Sequence, residues 1–353
     1  MLLDRLGVPI VLAPLAGGPS TAQLAAAVSN AGGLGFLAAG YLSADALREQ
    51  IATARGMTTA PLGVNVFVPG VPAAPGSVDD YASSLTRAAS QAGVELGRVR
   101  FDDDDWDAKL ALLIADPLPV ISFTFGCPDP SVITAVQGAG SEAWVTVTTP
   151  AEARHAAVAG ADALVVQGSE AGGHRASFID DPSADASGGF GLLPLLQLVS
   201  RETGLPMVGA DGIGTGAGVA AVLAAGASAA QLGTAFLRSP EAGTARVYRD
   251  ALAGPGETAM TRAFTGRLAR GIRNQFLDEH SKAAPAAYPE VHFLTAPVRA
   301  AARSAGNPDL VNLWAGQTHE LTSELPAAEL IGRLASEARR AVAAAAGRLA
   351  PRD

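Results

Sequence analysis

A histidine delivered by the end of an apolar run is the group in this chain best placed to do chemistry. In the stretch Leu164 to Arg175, LVVQGSEAGGHR, the residues Leu164, Val165 and Val166 carry the continuous apolar pattern of a strand buried on both faces. Gly168 ends that run. Gly172 and Gly173 then supply backbone that takes positive φ or lies close against a ligand, and His174 follows with Glu170 and Arg175 as polar neighbours. An imidazole so presented can serve as a general base or as a hydrogen-bond donor. The alternative is a structural histidine tied to the backbone of a glycine turn.

Other strand ends carry polar groups of complementary kinds. Asn65 interrupts the apolar GVNVF and Gln167 interrupts VVQG, and buried amides need hydrogen-bond partners, which the edge of a flavin ring offers. Either amide could instead tie down a neighbouring loop. Two glycine loops, GADGIGTG from Gly209 to Gly216 and QLGT from Gln231 to Thr234, expose backbone N–H groups of the sort that cradle a phosphate. The first loop is not read as a dinucleotide fingerprint, because it follows the seventh strand of a series and no unit with an acidic ribose ligand comes after it. It reads as a mononucleotide phosphate site. The five histidines and single Cys127 are not spaced as a metal cluster, and Cys127 reads as a small packing residue.

These groups require a scaffold that brings strand ends together. Eight short apolar runs, Ile10 to Ala13, Gly35 to Ala38, Leu62 to Phe67, Pro119 to Phe123, Ala143 to Val147, Ala163 to Gln167, Pro206 to Ala210 and Ala229 to Leu232, alternate with alanine-rich helical stretches. That regularity predicts a (β/α)8 TIM barrel over residues 1–253, with its site at the C-terminal strand ends. Helices are expected at Thr21 to Ala31, Ala44 to Arg55, Val78 to Ala92, Pro150 to Ala159, Leu192 to Thr203 and Gly216 to Ala225, with Ser20, Ser43 and Thr149 marking starts. Pro69 to Pro75 and the acidic run Asp102 to Asp105 read as solvated loops. Residues 254–353 lose the alternation and read as a smaller, mostly helical capping region, in which Phe264 and Trp314 belong either to a lid or to a packing core.

With 353 residues, 48% hydrophobic and 17% charged, the chain is long and apolar enough for a sizeable core. A formal charge of −9 argues against nucleic acid as a partner and for small-molecule chemistry. Pro9 and Pro14 interrupt the first apolar run and no segment has membrane-spanning length, so no membrane association and a cytoplasmic location are expected. Oligomeric state is not fixed by these features.

With those residues in hand, the chain resembles the nitronate monooxygenases, formerly called 2-nitropropane dioxygenases, in their class I bacterial branch. The resemblance runs in order through APLAGGPS, LAAAVSNAGGLGFLAAGY, GVNVF, SFTFGCP, QGSEAGGHR, GADGI, QLGTAFL, FTGRLAR, YPEVHFLTAP and LWAGQ. It implies an FMN-bearing TIM barrel with a cap, and oxidation of alkyl nitronates such as propionate 3-nitronate by O2 to a carbonyl product and nitrite. It further implies His174 as the catalytic residue, with Ala16, Gly17, Asn65, Gln167, Gly172, Gly173, Gly212, Gln231, Gly233 and Thr234 around FMN and Ser122 and Phe123 near flavin or substrate. Leu15 stands where the family usually has methionine, and Asp211 where it commonly has the first glycine of a pair. A carboxylate facing a phosphate would be repelled, so Asp211 is expected to point away. The alternatives on the same scaffold are an NAD(P)H-dependent reductase of quinones or enoyl thioesters, and a flavin-binding protein without turnover.

Overall fold

The computed structural model describes residues 1–183 and 188–350. Eleven strands are assigned there: β1 (Ile10–Leu12), β2 (Gly35–Ala38), β3 (Leu62–Phe67), β4 (Val120–Thr124), β5 (Glu142–Val147), β6 (Ala163–Gln167), β7 (Gly173–His174), β8 (Met207–Ala210), β9 (Ala229–Leu232), β10 (Thr258–Thr261) and β11 (Ala269–Ile272). Eight of them pair in parallel in the order β1-β9-β8-β6-β5-β4-β3-β2, and a bridge from Val11 to Leu34 closes the ring. This is a (β/α)8 TIM barrel.

The strands are apolar on both faces because both are covered. Phe36, Val120, Trp144, Val165 and Val208 fill the barrel interior, and Leu2 and Leu3 pack with them. Gly63 has no side chain because the Phe36 ring occupies its place, 2.6 Å from where a Cβ would stand. On the outer face, Ile10, Val64, Ile121, Val145 and Leu164 meet the helices. Helix starts follow local capping chemistry: Ser43 accepts from the Ala46 N–H, and Thr149 forms a capping box with Glu152. The first helix, Ala22–Asn30, is capped by Thr21 rather than Ser20, whose hydroxyl instead accepts from the Leu15 N–H at 2.8 Å.

The expected helix from 78 to 92 is two, Asp79–Ser84 and Thr86–Ala92, and helices at Trp106–Ala115 and Pro130–Gly138 were not anticipated. The acidic run before Trp106 is not a solvated loop. Asp104 accepts the Tyr41 N–H at 2.7 Å, Asp105 accepts the Ala44 N–H at 3.2 Å, and the fully buried Lys109 ammonium lies 2.7 Å from Asp104.

The region after residue 254 holds a β-hairpin as well as helices. Strands β10 and β11 pair with each other, and β11 pairs antiparallel with β7, setting Ala269 opposite His174. The cap core recruits Val78, Tyr81 and Leu85 from the barrel half to join Phe264, Phe276, Val291 and Leu294. Conversely, Leu330, Ile331 and Leu334 of the last helix, Ala327–Leu349, belong to the outer barrel core and pack against helices Gly216–Ala224 and Ala22–Asn30. Packing therefore does not divide at residue 253. Among the described residues no helix is long and apolar enough to cross a membrane, and no cluster of three or more His, Cys, Asp or Glu could hold a metal.

Candidate active site

A cavity of about 420 Å³ opens at the C-terminal ends of the barrel strands beneath the cap, within the range of small-molecule sites. It brings together Ala16, Gly17, Asn65, Gln167, Gly172, Gly173, His174, Gln231, Gly233 and Thr234. Three other expected residues lie outside it. Gly212 donates its N–H to Asp211 Oδ1 at 2.6 Å and packs against the Glu170 carbonyl, so it is not turned to the cavity. Ser122 is buried between strands, where its hydroxyl and carbonyl accept from Asn65 Nδ2. Phe123 alternates to the outer face, in edge contact with Trp106. The next residues, Thr124 and Phe125, line the cavity instead.

His174 is positioned from both sides. Gly173 has φ +77°, and a Cβ on Gly172 would stand 2.5 Å from the backbone of Ala315 and Gly316, so both glycines are required by geometry. Gln167 ties the same segment down: its Nε2 donates to the His174 carbonyl and its Oε1 accepts from the Ala176 N–H, both at 2.9 Å. The imidazole sits among Phe125, Tyr288 and Trp314, with ring centroids 5.4–5.8 Å away. Its Nε2 lies 2.9 Å from Thr265 Oγ1, leaving Nδ1 as the ring nitrogen available to a ligand. Burial, reinforced by the positive charges of Arg267 and Arg299, lowers its pKa to about 3. His174 is thus a neutral imidazole throughout the neutral range.

The Asp211 carboxyl lines the cavity but is turned back onto its own loop, with Oδ1 on the Gly212 N–H and Oδ2 beside Gly168 and Glu170. Burial and the neighbouring Glu170 push its pKa up to about 9. Burial also opposes ionisation of Glu170, but hydrogen bonds from Asp211 and from backbone N–H groups hold its pKa below the usual value. The pair therefore carries one proton, on Asp211, at neutral pH. Gln231 is buried, lines the cavity and makes no side-chain hydrogen bond to the described residues, so its amide is open to a ligand.

Several cavity residues were not singled out as site residues from sequence. Tyr41, at φ 68°, stacks on His292 at 4.2 Å and its hydroxyl is 3.1 Å from that of Tyr288. Thr265 comes from the cap and Thr146 from β5. The motif YPEVHFLTAPVR, which contains Tyr288, His292 and Arg299, was the available signal.

Comparison with known proteins places this geometry. The nitronate monooxygenase family model matches residues 2–337. The chain is 41% identical over 341 residues to a nitronate monooxygenase of Pseudomonas aeruginosa, covering 94% of this chain and 96% of that one. It is 38% identical to a nitronate monooxygenase of Paraburkholderia phytofirmans, with 97% and 95% covered. A nitroalkane oxidase structure from Streptomyces ansochromogenes superposes with a TM-score of 0.95 at 51% identity over 98% of this chain and 99% of that one. FabK from Thermotoga maritima superposes with a TM-score of 0.76 at 27% identity, with 98% and 97% covered. The chain therefore belongs to the nitronate monooxygenase family, a family of oxidoreductases.

Proposed function

We propose that this protein oxidises alkyl nitronates with O2, using FMN, to a carbonyl product and nitrite. The observation that carries the reading is the neutral, half-buried His174 facing the cavity. A base whose conjugate acid has a pKa near 3 is a poor acceptor for the α-proton of a neutral nitroalkane. A nitronate has already lost that proton. The cationic Arg267 and Arg299, which add to desolvation in keeping His174 neutral, also favour an anion beside it. A proton on Nδ1, with Thr265 donating to Nε2, would let His174 hold a nitro oxygen.

The residues fit FMN. Gly17 and Gly18 have φ +84° and +123° with open space where side chains would stand, the unpartnered Gln231 amide faces the cavity, and the Gly233-Thr234 turn borders it. In this reading Gln231 and Asn65 hold the ring edge, and the turn after β9 holds the phosphate. FMN held there would supply the redox chemistry, the acceptance of electrons from a nitronate and their passage to oxygen. The aromatic side chains of Phe125, Tyr288 and Trp314 surround the reacting position and exclude water.

The likeness to FabK supports a second reading, an NAD(P)H-dependent reductase. The two separate under anaerobic conditions with the flavin spectrum as readout. Bleaching by a nitronate, with no response to NADH or NADPH on the same timescale, is the expected result; rapid bleaching by a nicotinamide and none by nitronate would reverse the assignment.

Asp211 gives the cofactor site a pH dependence. Below its raised pKa the carboxyl is neutral and does not repel a phosphate; as pH rises through about 9 the Asp211–Glu170 pair gains a second negative charge, with Arg175 and Arg270 facing it. A unit charge several ångströms from a phosphate corresponds to roughly a ten- to hundredfold loss of affinity. FMN binding to the apoprotein, followed by flavin fluorescence, should weaken by that factor between pH 7 and pH 10. In Asp211→Asn the loss should be absent, and an unchanged pH profile in that variant would refute the assignment.

A further inference from the structure

Beside the cavity that holds His174 lies a second one, of about 520 Å³, set between helices Ala22–Asn30 and Ala44–Arg55. The proposed chemistry gives it no task. Leu15, Ala16, Gly17, Gly18 and Tyr41 line both cavities, so one loop and one aromatic side chain separate them. Ser20 clamps the ends of that loop: its N–H donates to the Leu15 carbonyl at 3.0 Å and its hydroxyl accepts from the Leu15 N–H at 2.8 Å. Between those ends Gly17 and Gly18 bring no side chain, and nothing stands within 4 Å of where their Cβ atoms would be. Tyr41 is fixed by Asp104, Tyr288 and His292. The partition is thin in the middle and anchored at its edges.

The two cavities differ in charge. The first is lined by His174, Asp211, Arg299 and Arg303, whereas no Asp, Glu, Lys, Arg or His lines the second. Its one titratable group is the Tyr41 hydroxyl, whose pKa burial pushes up to about 12. Most of its polar groups are already engaged. The Ser20 carbonyl accepts from Gln50 Nε2 at 3.0 Å, the Thr21 hydroxyl donates to the Glu241 carbonyl and accepts from the Leu24 N–H, and the Thr53 hydroxyl donates to the Glu49 carbonyl. Gln50 Oε1 has no hydrogen-bond partner among the described residues, but it is shut off from solvent. The start of helix Ala22–Asn30 has no cation beside it to help hold an anion. Ala16, Ala22, Ala38, Gly40 and Leu42 supply small apolar surface to the same wall. A neutral apolar molecule gains by leaving water for such a wall, and an anion would lose its hydration there without a partner.

We infer that the second cavity is a vestibule for dioxygen, which crosses the Leu15–Gly18 partition to the flavin while the anionic substrate enters by the mouth beneath the cap. Fast loop and side-chain motions pass a small apolar molecule between packed groups and stop a hydrated anion. A substrate held at His174 then does not block the way of its oxidant. This rests on the nitronate reading above and adds a separate entry for the second substrate.

Xenon, an apolar gas that settles in apolar cavities, gives a readout independent of turnover. Crystals of the wild type pressurised with xenon should show it in the second cavity. The double variant Leu42→Trp, Thr53→Trp, whose two positions line the second cavity and no part of the first, should exclude it. For the rate, flavin-loaded protein is reduced with dithionite and mixed with graded oxygen. The second-order rate constant for reoxidation should fall by roughly fivefold or more in the double variant, with each single variant in between. Anaerobic bleaching by propionate 3-nitronate and the affinity for FMN should stay at their wild-type values. No xenon in the wild-type cavity, wild-type reoxidation in a variant that excludes xenon, or an equal slowing of anaerobic bleaching would overturn the vestibule. Reoxidation that depends on the cavity, in a protein whose flavin no nitronate bleaches, would instead overturn the nitronate reading and leave the vestibule standing.

Discussion

Replacing His174 by Ala is expected to lower turnover of a nitronate by roughly 10²–10³-fold, the effect of deleting a single preorganised donor, while flavin content and melting temperature change little. The imidazole makes its hydrogen bond through Nε2 to Thr265, so the reacting group would meet Nδ1. His174→Asn places an amide near Nδ1 and should recover part of the loss, about tenfold over Ala. His174→Gln reaches towards Thr265 and should not. A second consequence comes from the lowered pKa. Because His174 is already neutral above about pH 3, the wild-type rate on nitronate should show no ionisation of this residue between pH 5 and pH 9. A limb near pH 6.5 that disappears in His174→Asn would contradict the neutral assignment, and Asn equal to Ala would contradict the role of Nδ1.

The largest effect on stability is expected at Lys109, which does not line the cavity. Its side chain is fully buried, while that of Asp104 is 19% exposed, and the two are 2.7 Å apart. Lys109→Met leaves Asp104 in a largely buried site without its cation, a loss of about 3 kcal/mol. For a chain of this size that corresponds to a fall in melting temperature of roughly 4 °C. Asp104→Asn added to Lys109→Met removes the stranded charge and keeps an acceptor for the Tyr41 N–H, so most of the loss should be recovered. A double variant no more stable than Lys109→Met would show that packing around the lysine stem, rather than charge, is responsible. The same pair holds Tyr41 at its positive φ against the cavity, so Lys109→Met should also raise KM.

These two sites differ in how far they could be read from sequence. The barrel strands were legible almost to the residue, because each is a short apolar run with turn residues at both ends and covers on both faces. Helix Trp106–Ala115 was not, since its residues are apolar on most sides and an acidic run precedes it, which hides the amphipathic period. That run looked solvated because nothing local distinguishes a surface aspartate from one that meets Lys109 and a backbone N–H some sixty residues away. His174 was legible from its glycines, whose backbone demands are local. Thr265, Tyr288 and Arg299 reach the cavity only through the cap, so their roles depend on tertiary contacts that no spacing records. Gly212 and Phe123 lay outside the cavity for a related reason: one peptide of rotation, or one step along a strand, decides which face a group serves.

The pairing of β7 with β11 also orders events during synthesis. The barrel strands and the histidine leave the ribosome well before Ala269 and the rest of the cap, and the helix that seals the barrel wall, Ala327–Leu349, follows later still. A nascent barrel can thus gather its strands while the segment bearing His174 still lacks its neighbour. Until β11 and the cap emerge, the segment bearing His174 lacks the strand it pairs with, so a barrel formed without residues 254–349 would leave the cavity unfinished.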